Sequence, residues 1–93
     1  MSIPKVSQVK AARALLEWSQ ANLAKKSGVS LPTIKRLEAA GGSLGGAPET
    51  REKIVDALTK AGIEFIPENG GGVGARLKQA SAKAKKKLAM VKR

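Results

Sequence analysis

Between Ser19 and Ala39 the chain reads SQANLAKKSGVSLPTIKRLEA, two short helical patterns broken at Gly28-Val29-Ser30. In the first pattern Leu23 and Ala24 lie on one face, while Gln20, Asn22, Lys25 and Lys26 point elsewhere. In the second, Ile34 and Leu37 are three apart and share the inner face of a helix. Gly28 stands where a helix commonly ends in the left-handed conformation that only glycine adopts without strain. Ser30 can cap the next helix, and Pro32 falls in its first turn, where no backbone donor is needed. Two helices joined by so short a turn must cross at a steep angle.

That crossing defines a helix-turn-helix unit, and the spacing SQxxLAxxSGVSxxTIxRLE resembles the phage-repressor-like (XRE, Cro-type) family of small bacterial and phage DNA-binding regulators. Ser19, Gln20, Leu23, Ala24, Gly28, Val29, Ser30, Thr33, Ile34, Leu37 and Glu38 stand where that pattern expects them. The likeness runs from about Val9 through Gly62, and GIEFIPENGGGVGARL looks like a C-terminal extension found on a bacterial subgroup. The expected fold is mainly α: a small lambda-repressor-like domain of four to five helices, with a short C-terminal β-hairpin and a basic tail. Residues 1–62 form the expected DNA-binding domain, 63–78 the hairpin and possible dimerisation element, and 79–93 the tail.

Charge and residue usage bound the function independently. The chain of 93 residues carries 18 Lys and Arg against 7 Asp and Glu, for a net charge of +11. Residues 1–75 contribute +3 of this and residues 76–93 contribute +8, with no acid in the latter. Such asymmetry points to a polyanionic partner, a nucleic acid or an acidic membrane surface. Trp18 and Phe65 are the only aromatic residues, too few for a platform that stacks single-stranded bases, so duplex DNA fits better. There is no Cys and no His, which removes disulfides, most zinc sites and most acid–base arrangements, so neither an enzyme nor a cofactor is expected. No apolar run approaches the roughly 20 residues of a membrane span, and no signal-peptide pattern opens the sequence. The expected location is the cytoplasm, on the nucleoid.

Taken in order, Met1 to Lys5 reads as a loosely ordered lead. A first helix is expected from Val6 or Ser7 to Glu17, with Val9, Ala12, Leu15 and Leu16 as its apolar stripe. Arg13 can either pair with an acid or touch a phosphate, and Trp18 reads as a ring sealing helix 1 against the helix-turn-helix. Helices 2 and 3 cover Gln20–Ser27 and Leu31 to about Ala40, and Glu38 reads as a structural ion-pair partner. Gly41 to Gly46 holds four glycines and reads as a flexible linker; it lacks the GK[ST] of a P-loop. A fourth helix is expected from Pro48 to Ala61, closing the core against helix 1 with Ile54, Val55, Ala57, Leu58 and Ala61. Ile63–Ile66 and Val73–Lys78 read as strands about a Pro67–Gly72 turn. Because an isolated hairpin is marginal, it must pack on the helices or on a second subunit, one reason to expect a homodimer. The tail Gln79–Arg93 reads as a basic arm along phosphates or as a solubilising segment, with Lys83, Lys85, Lys86, Lys87, Lys92 and Arg93 as its charges. A membrane anchor is disfavoured, since only Leu88, Met90 and Val91 are bulky and apolar there.

In this family helix 3 enters the major groove with its N-terminal outward residues at base edges. By that resemblance Leu31, Pro32, Thr33 and Arg36 are the candidate base contacts, with Arg36 bidentate to guanine O6 and N7. Gln20 and Ser30, each at a helix N-terminus, are expected on phosphates, and Lys35, Lys25 and Lys26 add nonspecific attraction. The reading that follows is a sequence-specific transcriptional regulator, a homodimer on an inverted repeat. The alternatives are an antitoxin or antiactivator that blocks a protein partner, a toxin or a transcription activator, and an architectural DNA binder without sequence preference.

Overall fold

Local chemistry sets the helix ends. The computed structural model describes residues 3–78 and contains α1 (Val6–Leu16), α2 (Gln20–Ser27), α3 (Leu31–Ala40), α4 (Pro48–Lys60), β1 (Ile63–Ile66) and β2 (Gly74–Leu77). The tail from Gln79 onward, with its six candidate charges, lies outside the described residues. α2 starts because the Ser19 hydroxyl accepts from Asn22 N (3.0 Å) while the Asn22 side-chain Oδ1 accepts from Ser19 N (2.9 Å). It stops at Gly28, whose φ of 79° lies in the left-handed region. The Ser30 hydroxyl then accepts from Thr33 N at 3.3 Å and α3 begins, as expected from the turn residues. α1 ends one residue earlier than expected: Glu17 takes a left-handed φ of 59° without being glycine, and turns the chain toward Trp18.

The core is one cluster: Val6, Val9 and Ala12 from α1, Leu23 from α2, Ile34 and Leu37 from α3, Ile54 and Leu58 from α4, with Val29, Leu44 and Ile63 from the connections and β1. Each of the four helices thus turns apolar residues inward, but Leu15, expected in the stripe of α1, is 44% exposed. Two further features differ from expectation. α4 lies chiefly against α2, not α1, because α1 spends its flank on α3 and the hairpin. α4 also ends at Lys60, one residue short, where Gly62 (φ 108°) turns the chain into β1.

The lead and the glycine-rich connection are also more ordered than their composition suggests. Leu44 is 2% exposed, a core residue inside the segment read as a linker. Its N–H donates to Pro4 O (2.9 Å), Val6 N donates to Gly42 O (2.8 Å), and Lys5 pairs with Ser43 in an antiparallel bridge. Pro4 is buried in turn. The glycines supply the bends, and one leucine and two backbone hydrogen bonds supply the order; hydropathy averaged over GGSLGGAP hides both.

β1 and β2 pair antiparallel, Ile63 with Leu77 through Ile66 with Gly74. The hairpin packs on its own chain: Ile63 is buried, and Phe65 and Ala75 lie against the core. Gln8, only 4% exposed, fastens it, because Nε2 donates to Ile66 O (3.0 Å) and Gly74 O (2.7 Å) while Oε1 accepts from Lys5 N (2.8 Å). A buried amide satisfied in this way joins α1, the N-terminal lead and the hairpin mouth.

Leu44→Ala should lower stability by about 2–5 kcal/mol, the range for truncating a buried leucine. Urea denaturation measures this; a loss below about 0.5 kcal/mol, the range of an exposed position, would make the connection the passive linker its glycines suggest.

Candidate nucleic-acid interface

Only the face of α3 turned away from the core is available to a partner. Ile34, Leu37 and Glu38 are buried and fix the rotation of the helix, so Pro32, Lys35 and Arg36 are exposed and Leu31 and Thr33 half-exposed. The candidate base contacts Leu31, Pro32, Thr33 and Arg36 therefore lie together along one side of its first turn and a half. Among the described residues the Arg36 guanidinium has no hydrogen-bond or ion-pair partner. Thr33 Oγ1 accepts from the Ser30 hydroxyl (2.9 Å), which leaves its own proton free to face outward.

The orientation of α3 is held from behind by a charge. Arg13 grips the Glu38 carboxylate with two hydrogen bonds, Nε to Oε2 at 2.8 Å and Nη2 to Oε1 at 2.7 Å, and its Nη1 donates to Trp18 O at 3.0 Å. Gln20 Nε2 adds a third donor to Glu38 Oε1 at 3.0 Å. Burial alone would raise the Glu38 pKa, but the hydrogen bonds of Arg13 and Gln20 and the charges of Arg13 and Lys10 outweigh it, and the carboxyl is held below its ordinary 4.5. Of the two roles open to Arg13, the structure contains the ion pair, and Glu38 is its structural partner as expected.

The positions expected on phosphates differ among themselves. Lys25, Lys26 and Lys35 are exposed, and Lys26 Nζ lies 5.9 Å from the centre of the Trp18 ring. Gln20 is half-buried and spends one amide hydrogen on Glu38, so the other remains for an outside acceptor. The Ser30 hydroxyl is occupied as cap and as donor to Thr33. Sequence reasoning missed Gln8 as the fastener of the hairpin; its place as the third residue of α1 is the one signal available, and that signal announces a cap only.

An α2–α3 pair joined through Gly28-Val29-Ser30, braced by α1 and α4 and presenting one cationic helix edge, is the architecture of a helix-turn-helix DNA-binding domain. A family model described as helix-turn-helix matches residues 9–45, which takes in most of α1, all of α2 and α3, and the connection through Gly45. The match supports the likeness of this segment to the XRE helix-turn-helix family, a family of DNA-binding regulators. No curated protein and no solved structure matches the chain. Among the described residues no helix is long and apolar enough to cross a membrane.

Since the folded-state pKa of Glu38 is lowered, its carboxylate contributes stability that is complete above the unfolded value near 4.5 and is lost as pH falls through the lowered folded value. Glu38→Ala should lower stability at neutral pH by about 3 kcal/mol, because Arg13 loses its partner in a mostly buried site. The same variant should flatten the acid limb in urea denaturations repeated at falling pH. An acid limb as steep as that of the parent would assign the loss to other carboxylates.

Proposed function

We infer that the protein is a sequence-specific double-stranded DNA-binding regulator, with α3 reading the major groove and two chains bound to an inverted repeat. The observation that carries this reading is the contrast between two arginines. Arg13 is consumed by Glu38 and the Trp18 carbonyl, whereas Arg36 stands on the open edge of α3 with all five guanidinium donors unspent among the described residues. An exposed planar fork one turn into such a helix suits bidentate pairing with guanine O6 and N7. Leu31 and Pro32 offer no side-chain hydrogen bonds and would act through thymine methyls or by excluding other bases, while Thr33 can offer its hydroxyl. Lys25, Lys26 and Lys35 would supply charge to the phosphates, with Gln20 and the cap at Ser30 setting the approach of the backbone. The basic residues beyond Lys78 would add attraction that does not depend on sequence.

Selection of bound sequences from a random duplex pool tests the reading directly. A recovered palindrome with half-sites about one helical turn apart supports it. Recovery of no motif would favour the architectural alternative.

Arg36→Ala should weaken binding to the selected site by about 1–3 kcal/mol and relax base preference at one position, measured by competition against variant sites. Equal weakening on random DNA would reduce Arg36 to a phosphate contact. Removal of residues 79–93, which carry six basic groups and no acid, should weaken binding to every sequence. The same truncation should reduce the slope of log K against log salt by about 0.9 for each phosphate that the segment neutralises. An unchanged slope would place that segment away from the DNA.

A further inference from the structure

Three segments far apart in the chain meet around one cleft: the lead, the connection after α3 and the mouth of the hairpin. Its volume is about 250 Å³. A cavity of roughly 150 Å³ already admits a benzene ring, so this cleft has room for a ring with polar groups beside it. Ile3, Phe65, Pro67 and Val73 supply apolar wall. Ile3 is 48% exposed, the highest value among the large apolar side chains of the described residues. The polar groups on the cleft are opposite in charge and unspent. Lys5, Ser43 and Glu68 border it. Among the described residues the Lys5 ammonium and the Ser43 hydroxyl have no hydrogen-bond or ion-pair partner, although the two backbones pair in an antiparallel bridge. Glu68 Oε2 accepts from Gly70 N (3.3 Å) and Gly72 N (3.2 Å), which fixes the carboxylate and leaves Oε1 without a partner there. Lys5 and Glu68 thus share one cleft without forming an ion pair. Gln8 lines it too, but its amide is spent on the hairpin and the lead.

We propose that this cleft binds a small zwitterion, an α-amino acid with a large apolar side chain. Its carboxylate accepts from Lys5 Nζ and the Ser43 hydroxyl, its ammonium donates to Glu68 Oε1, and its side chain covers Ile3, Phe65 and Val73. The two charged ends of such a ligand match the two unspent charges of the cleft in sign and number. A ligand with one charge leaves the other protein charge desolvated and unpaired, which is costly. Sites for drug-sized ligands begin at roughly 300 Å³, so the volume here suits one amino acid and no larger molecule. Ser43 stands three residues after the end of α3, and Glu68 lies in the hairpin turn, so the bound ligand ties the hairpin to the segment that leaves α3. Binding to the folded chain stabilises that arrangement by mass action, which makes the cleft an effector site on the regulator inferred above. The binding itself does not depend on that reading.

Isothermal titration calorimetry of the full chain without DNA tests the site apart from any DNA binding. L-phenylalanine or L-leucine should saturate one site per chain. Phenethylamine lacks the carboxylate and 3-phenylpropionate lacks the ammonium, and each should bind about tenfold more weakly than L-phenylalanine, or worse, for the loss of one charged hydrogen-bonding end. Glycine, without the apolar side chain, should give no saturable heat. Lys5→Met and Glu68→Gln should each weaken L-phenylalanine by about the same factor while the helical circular dichroism signal is unchanged, since both side chains are exposed and the Glu68→Gln amide oxygen still accepts from Gly70 and Gly72. The losses should be selective: Lys5→Met spares phenethylamine, and Glu68→Gln spares 3-phenylpropionate. Absence of saturable heat with both amino acids at millimolar concentration would overturn the site. Affinity for 3-phenylpropionate equal to that for L-phenylalanine, or a Lys5→Met chain that binds as the parent does, would overturn the zwitterion. Should Glu68→Gln unfold, the comparison of 3-phenylpropionate with L-phenylalanine on the parent chain decides the role of Glu68.

Discussion

The contact between Arg13 and Glu38 ties three helices at one point. The guanidinium comes from α1 and the carboxylate from α3, while Gln20 of α2 donates to the same carboxylate and the Trp18 carbonyl accepts from the same guanidinium. Glu38 is 3% exposed, so the pair is made where water competes little and where an unpaired charge would be costly. A rotation of α3 about its axis would carry Glu38 away from its donors and bury a free carboxylate. Apolar packing by Ile34 and Leu37 tolerates small rotations; a two-point hydrogen-bonded grip does not. The outward edge of α3 is therefore held in one direction by an interaction on its inner side.

Charge is divided accordingly. The acid of α3 faces inward and is neutralised there, which leaves Lys35 and Arg36 as the formal charges on its open face. A carboxylate turned outward on the same helix would oppose phosphates, and a buried arginine would be withheld from them. The same two residue types, placed on opposite sides of one helix, give a brace and a cationic edge.

The remaining contacts connect the far ends of the chain to this unit. Gln8 joins the hairpin mouth to the lead, and the lead joins the connection after α3 through Pro4, Lys5 and Val6. Leu44 seats that connection in the core. The stretch following α3 is thereby fixed at both ends, and the hairpin, too small to be stable alone, becomes a continuation of the core through Ile63, Phe65 and Ala75.

Helix ends were legible in the sequence because their causes are local. Ser19, Gly28, Ser30 and Pro32 act within one turn of themselves, so α2 and α3 begin and end where those residues stand. The inward face of α3 was legible too, since spacings of three and four from Ile34 place Leu37 and Glu38 on its side of any helix, and Arg36 then has to face away. What lay outside its reach depends on meetings between residues far apart in the chain. Arg13 had two equally open roles until α3 came to rest beside it, 25 positions away. Gln8 drew no role from the sequence; only the fold brings it to carbonyls 58 and 66 positions on. Leu44 was hidden among glycines, and the choice of α2 over α1 as the seat of α4 was settled by which surface α1 had left free. Spacing along a chain determines what a helix shows on each face, while the partner of each face is decided only when the helices share one core.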